Sequence, residues 1–192
     1  MPTLILASGS RYRRDLLARL MLPFETLAPQ ASEEHQDGES PADRALRLAA
    51  SKARSVASRR PEAIVIGSDQ VAAAGDQVLD KPGDAAGAHA QLRAVSGRSA
   101  RFYTACVVLA EADGLHVAHL DTTTVSFRPL SLEEIERYVA REQPYDCAGS
   151  FKAEALGISL LDCIESQDPT ALIGLPLIWL AGALRAAGFP LP

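Results

Sequence analysis

Three groups of residues in this sequence have types and spacings suited to chemistry on a small phosphorylated ligand. The apolar run Leu4-Ile5-Leu6-Ala7 leads into Ser8-Gly9-Ser10-Arg11-Tyr12-Arg13-Arg14. Small residues where a strand gives way to a helix let the backbone approach a ligand closely, and the N–H groups at the helix start attract phosphate. Arg13 and Arg14 add guanidinium forks that match phosphate oxygens. The plain alternative is a tight turn followed by solvated arginines. Lys52 forms the second group. On a helix turning by about 100° per residue, Ala45, Leu46, Ala49, Ala53, Val56 and Ala57 make one apolar arc, and Lys52 falls at its edge. Such a lysine either snorkels to solvent or points from the core edge into a pocket. The third group is Ile64-Val65-Ile66-Gly67-Ser68-Asp69-Gln70-Val71, an acid embedded in a strand that reads as buried. An isolated buried charge is costly, so Asp69 must be protonated, paired or metal-bound. With Glu33 from a polar loop, Asp69 could hold one Mg²⁺, which takes few carboxylates and completes its shell with waters and phosphates. Beside a metal it could also orient or deprotonate an attacking water. Strict alternation sets Asp69 and Gln70 on opposite faces, so both line one pocket only if the strand bends, with Gly67 the candidate bend.

Composition narrows the field around these groups. The chain has 192 residues, 19 Lys plus Arg against 24 Asp plus Glu, and a formal charge of −5. That acidic balance argues against a non-specific nucleic-acid binder, which needs a basic surplus to neutralise phosphates. It leaves room for a local cationic patch serving one small ligand. Hydrophobic residues at 47% and charged residues at 22% suit a globular chain, and the length suits one domain over residues 1–192. Apolar stretches such as 175–183 fall well short of the roughly 20 residues of a membrane span. Met1 leads straight into strand-like residues, so the cytoplasm is the expected compartment. Cys106, Cys147 and Cys163 are odd in number and widely spaced, as reduced thiols would be. His116 and His119 alternate to opposite faces of a strand and read as surface or hairpin residues.

Strand-like and helical runs interleave, which predicts an α/β fold with a mixed sheet. After a first strand, the spacing predicts a helix over 11–22 with Leu16, Leu17, Leu20 and Met21 as its stripe. A short strand at 24–27 and a polar loop at 29–39 follow. Ser40-Pro41-Ala42-Asp43 is a helix start running to about Arg59. A buried strand begins at Ile64, and Gly75-Asp76 turns it toward Val78-Leu79. A helix over 85–95 ends at Ser96-Gly97. Strands over 102–110 and 117–127 join near Asp113-Gly114. Ser131 and Glu134 make a capping box for a helix through Ala140. A strand near 158–164 and a last helix over about 171–187 complete the chain. Lys81-Pro82-Gly83 is a further cationic loop, and Asp146 to Glu154 mixes small, aromatic and charged residues in an irregular segment.

In their order and spacing these pieces resemble the Maf family of nucleoside triphosphate pyrophosphatases. The match runs from L-I-L-A-S-G-S-R-Y-R-R through Glu33, Lys52, G-S-D-Q at 67–70 and K-P at 81–82. It continues with S-G at 96–97, F-Y-T at 102–104, A-G-S-F-K-A-E at 148–154 and D-P-T-A-L-I-G-L-P-L at 168–177. The resemblance implies a Maf/Ham1 (ITPase-like) α/β fold, a mixed twisted sheet flanked by helices with a substrate cleft between two lobes. It implies cleavage of a nucleotide between its α and β phosphates, giving a monophosphate and pyrophosphate, with Mg²⁺ or Mn²⁺ as cofactor. It also makes a homodimer plausible. By position, Asp69 takes the general-base role and Glu33 joins it at the metal. Ser8, Arg13, Lys52 and Lys81 handle phosphate, and the three cations can neutralise the leaving pyrophosphate. Arg14 and Gln70 complete the expected substrate contacts. Glu154 stands where the branch acting on dTTP and UTP usually has Gln, and it resembles the branch acting on 7-methyl-GTP. Methylation at N7 makes guanine cationic, so a carboxylate favours it. Tyr12, where that branch typically carries Trp, could stack on the cationic ring. A broader pyrophosphatase for UTP, CTP or dTTP is one alternative. The other is a non-catalytic nucleotide-binding regulator of septum formation. A dinucleotide-binding dehydrogenase lacks its G-x-G-x-x-G after the first strand.

Overall fold

The computed structural model describes residues 2–192 apart from Asp76 and Asp113, so those two expected turn residues lie outside the described residues. The elements in order are β1 (Leu4–Ala7), α1 (Arg11–Ala18), β2 (Glu25–Thr26), α2 (Pro41–Ala57), β3 (Ile64–Ala74), β4 (Gln77–Val78), α3 (Ala85–Val95), β5 (Ser99–Ala110), β6 (Leu115–Phe127), α4 (Leu132–Glu142), β7 (Leu161–Glu165) and α5 (Leu177–Ala186). Short 3₁₀ turns occupy Ala148–Ser150, Leu156–Leu160 and Ala171–Ile173. Among the described residues the strands form one mixed sheet in the order β2-β1-β3-β5-β6-β7, with β4 paired to the end of β3. β1 runs parallel to β3 in the register Leu4↔Ile64 to Ala7↔Gly67, which sets the end of β1 beside the Gly67-Ser68-Asp69 stretch. None of the helices among the described residues is long and apolar enough to cross a membrane.

Contacts divide the chain into two compact units. The first comprises residues 1–70, 104–121 and 168–192, and the second 71–103 and 122–167. In the first unit, α1, α5, β1 and the start of β3 bury Leu4, Leu6, Leu16, Leu17, Ile64, Ile66, Leu180 and Leu184 around Cys106 and Val108. β1 and the opening of β3 read as continuous apolar runs because parallel strands are covered on both faces. In the second unit, Phe151 meets Phe102 and Phe127 edge to face, at 5.3 and 5.4 Å between ring centroids. Leu92, Val95, Ile135 and Val139 are buried there as well.

Helix starts follow the capping residues. Ser40 accepts from Asp43 N with Pro41 in the first turn, and Ser131 with Glu134 closes the capping box. Helix ends depart from the expected spans. α1 stops at Ala18, because the N–H groups of Arg19, Leu20 and Met21 reach back only three residues and Met21 adopts φ +52°. Pro23 disfavours helical conformation at Leu22. Met21 is consequently 90% exposed, and the buried stripe contracts to Leu16 and Leu17. The last helix is also broken. A 3₁₀ turn at Ala171–Ile173 ends on Gly174 at φ +128°, and α5 starts only after Pro176. The strand expected from Ile158 begins at Leu161, the residues before it forming a 3₁₀ turn.

Candidate active site

Asp69 lies on β3 and Lys52 on α2, and both are almost fully buried, each 7% exposed. The Lys52 ammonium donates to Asp69 Oδ1 at 2.5 Å and pairs with Glu33 Oε1 at 2.7 Å. The wheel of α2 sets Lys52 at the edge of its apolar arc, and in the structure its ammonium is buried and paired with both carboxylates rather than snorkelling to solvent. What brings α2 close enough is Gly67, two residues before Asp69 on the same strand face. A Cβ there would overlap Ala49 O and come within 2.7 Å of Ala53 N, so only glycine allows this approach. Glu33, from the polar loop, keeps a side chain 61% exposed, so the trio opens on its glutamate side.

Arg13 adds a fourth charge. It sits in the first turn of α1, is half-buried, and its Nε donates to Gly174 O at 3.0 Å. Burial pushes its pKa below the ordinary arginine value, opposed by the fields of Asp69, Cys106 and Glu33. Two carboxylates and two cations therefore share one region of the first unit, with no formal surplus of either sign. Glu33 and Asp69 are the carboxylates that converge, and among the described residues no cluster of three His, Cys, Asp or Glu side chains surrounds them. One or two carboxylates completed by water and substrate phosphate is the donor set Mg²⁺ accepts.

The remaining expected residues fall out as follows. Ser8 is buried, and its Oγ accepts from Ser10 N at 3.1 Å, while Ser10 caps α1 by accepting from Arg13 N. Tyr12 lies under the Arg11 guanidinium, 4.7 Å from its ring centroid, and its hydroxyl accepts from Arg11 at 2.7 Å. Arg14 pairs at the surface with Asp15 at 3.3 Å. Gln70 obeys strand alternation and faces away from Asp69. Its amide nitrogen, with two hydrogens to share, lies within 2.9–3.1 Å of Thr104 Oγ1, Ala171 O and Leu172 O. Gly67 pairs in parallel register with Ala7, and beyond it Asp69 turns to Lys52 while Gln70 turns to the carbonyls of Ala171 and Leu172. Lys81 and Glu154 belong to the second unit and are exposed there. The segment before Glu154 is held through Gly149 at φ +72° and Ser150 at φ +59°, the latter donating to Gln91 Oε1. Lys152 pairs with Glu142 at 3.3 Å, and its N–H donates to Tyr138 Oη.

Ser68, Thr104, Asp168 and Thr170 complete the surroundings and were not singled out by residue type. Asp168 is buried and accepts from Thr170 N, Thr170 Oγ1 and, through its other oxygen, Ile178 N at 2.7 Å. It thereby caps α5, whose own cap residue, Pro176, offers no side-chain acceptor. The signal was an acid just ahead of the last helix, in the Asp-Pro-Thr stretch.

Comparison with known proteins agrees over the full chain. Residues 3–187 match the family model described as Maf-like protein. A protein of Xanthomonas oryzae named 7-methyl-GTP pyrophosphatase is 58% identical over 192 residues, covering 100% of both chains. One of the same name from Bordetella avium is 53% identical over 188 residues, 97% of this chain and 94% of that one. Among solved structures, a HAM1 protein from Coxiella burnetii is similar at TM-score 0.46 and 15% identity, over 66% of this chain and 73% of the other. With the family model matched across nearly its whole length and relatives aligned end to end, this chain belongs to the Maf family.

Proposed function

We propose that this protein hydrolyses 7-methyl-GTP between the α and β phosphates, releasing 7-methyl-GMP and pyrophosphate. The observation that carries the reading is the buried Asp69–Lys52 pair opening on Glu33, with Arg13 beside it. Relatives at 52–58% identity that bear the name 7-methyl-GTP pyrophosphatase support the base.

Charge balance explains why those residues need a further cation. Glu33, Asp69, Lys52 and Arg13 cancel one another, so they alone leave a triphosphate uncompensated. Glu33 and Asp69 are the residues that would hold a divalent ion, which when bound supplies Lewis acidity toward phosphate oxygens and acidifies a coordinated water. Asp69 orients the attacking water and accepts its proton. Lys52 fixes the Asp69 carboxylate and meets the negative charge that develops as the bond to the β phosphate breaks. Arg13 presents a planar fork to phosphate oxygens, and Ser8 with Ser10 shapes the loop that leads into α1. Lys81 is assigned to the departing pyrophosphate and Glu154 to the cationic base. Tyr12 is assigned to stacking on that base, an attraction of roughly 0.5–2 kcal/mol. Those three roles rest on the positions these residues share with the family pattern.

The test is pyrophosphate release from 7-methyl-GTP, GTP, UTP, CTP and dTTP, with Mg²⁺, with Mn²⁺ and with EDTA. Metal-dependent turnover with the methylated nucleotide ahead of GTP is the expected result. Equal rates on GTP and its methylated form would overturn the base assignment.

A further inference from the structure

One turn of the first unit is gripped by four side chains. Ser68 Oγ donates to Gly174 O at 2.9 Å, and Arg13 Nε donates to the same carbonyl at 3.0 Å. Thr104 Oγ1 donates to Ala171 O at 2.9 Å, and Gln70 Nε2 reaches Ala171 O and Leu172 O. At its far end the turn is tied down by Thr170, whose carbonyl accepts from Leu175 N at 3.4 Å and whose hydroxyl accepts from Leu177 N at 2.9 Å while giving its one proton to Asp168. A backbone turn held from both ends is a fixed anchor for anything bonded to it.

We propose that Ser68 is a positioning residue, which fixes the guanidinium of Arg13 through the shared carbonyl of Gly174. The inference rests on the reading of Arg13 as a phosphate-binding residue. A carbonyl oxygen has two lone pairs, and here one serves Ser68 and the other Arg13. The guanidinium is planar and rigid, so pinning Nε sets where its terminal nitrogens point. Ser68 is wholly buried and one residue from Asp69, so the strand that carries the acid also sets the arginine. Gly174 is suited to the role by shape. It sits at φ +128°, and a Cβ there would lie 3.4 Å from both Cγ and Nε of Arg13. Displacement of such a group by about 1 Å can cost on the order of 100-fold in rate.

A double-mutant cycle on kcat/KM for pyrophosphate release tests this, with Ser68→Ala and Arg13→Lys alone and combined. Lysine keeps the charge of Arg13 but not the Nε donor or the rigid fork. Ser68→Ala is expected to lower kcat/KM about tenfold when Arg13 is present and less than threefold beside Arg13→Lys, with the same loss of Tm in both backgrounds. The same fold loss in both backgrounds overturns the positioning role. Full activity in Arg13→Lys and Arg13→Ala instead overturns Arg13 as a phosphate ligand, a different failure. Should Ser68→Ala not fold, Ser68→Cys, of similar size and with a weaker donor, takes its place in the cycle and is expected to lose less.

Discussion

Lys52 and Asp69 illustrate how much a single misplaced charge says. An acid inside an apolar strand and a lysine at the edge of an apolar arc are each costly unless they meet, and they do. Asp69→Asn removes the proton acceptor and one charge of the pair while keeping its shape. Pyrophosphate release is expected to fall by at least about 100-fold, the scale of losing a general base. Full activity in that variant would sink the mechanism. Lys52→Met leaves two carboxylates facing each other, one of them buried. It is expected to destabilise the chain by about 3–5 kcal/mol in EDTA, the scale of breaking a buried pair. Since Glu33 is more than half exposed, the lower end of that range is the better guide. Mg²⁺ should restore part of the lost Tm in Lys52→Met and raise the parent less, as a cation fills the place of the ammonium. A Tm indifferent to Mg²⁺ in both proteins would show that the carboxylates hold no metal. Small uncharged residues left no such trace. Ser68 and Thr104 are ordinary strand residues by type, and only the position of the 171–174 turn reveals their work.

Elements were legible wherever local chemistry decides and less so where two segments negotiate. Ser40-Pro41 and Ser131/Glu134 gave the starts of α2 and α4, because a cap is a bond between near neighbours. The ends of α1 and α5 depended on Met21, Pro23, Gly174 and Pro176, each of which overrides a hydrophobic pattern that would otherwise continue. Alternation along β3 was the most informative rule. It puts Gly67 and Asp69 toward α2, and Ser68 and Gln70 toward the 171–174 turn, so one strand serves two sides of the site. Gly67, the candidate place for a bend, is where β3 admits the close approach of α2. Gly67→Ala forces β3 and α2 apart, against backbone atoms that cannot rotate away. A stability loss at or above the roughly 1–3 kcal/mol of overpacking is expected. Activity should fall more steeply than stability at a temperature where the variant stays folded, since Lys52 rides on the displaced helix. A variant with normal kcat and a lowered Tm would separate that spacing from catalysis.

At the scale of the whole molecule, each compact unit encloses a weak acid that folding makes weaker. Cys106 lies in the core of the first unit, and burial pushes its thiol from 9.0 up to about 12, with Arg13 pulling the other way. Tyr138 belongs to the second unit, and burial raises its hydroxyl too, against a hydrogen bond from the Lys152 backbone. A raised folded pKa means that the unfolded chain loses its proton first. Stability is therefore intact below the unfolded pKa and declines as pH climbs toward the folded one. For Cys106 that window runs from about 9 to about 12. The Tm should fall steadily across it, and Cys106→Ala should fall less steeply, by the share of one thiol. Cys106 should also resist alkylation in the native protein at pH 8, while the exposed Cys163 reacts. Parallel Tm profiles for parent and Cys106→Ala across pH 9–11, together with ready labelling of Cys106, would mean that this core opens to water and that its thiol is not buried as the first unit places it.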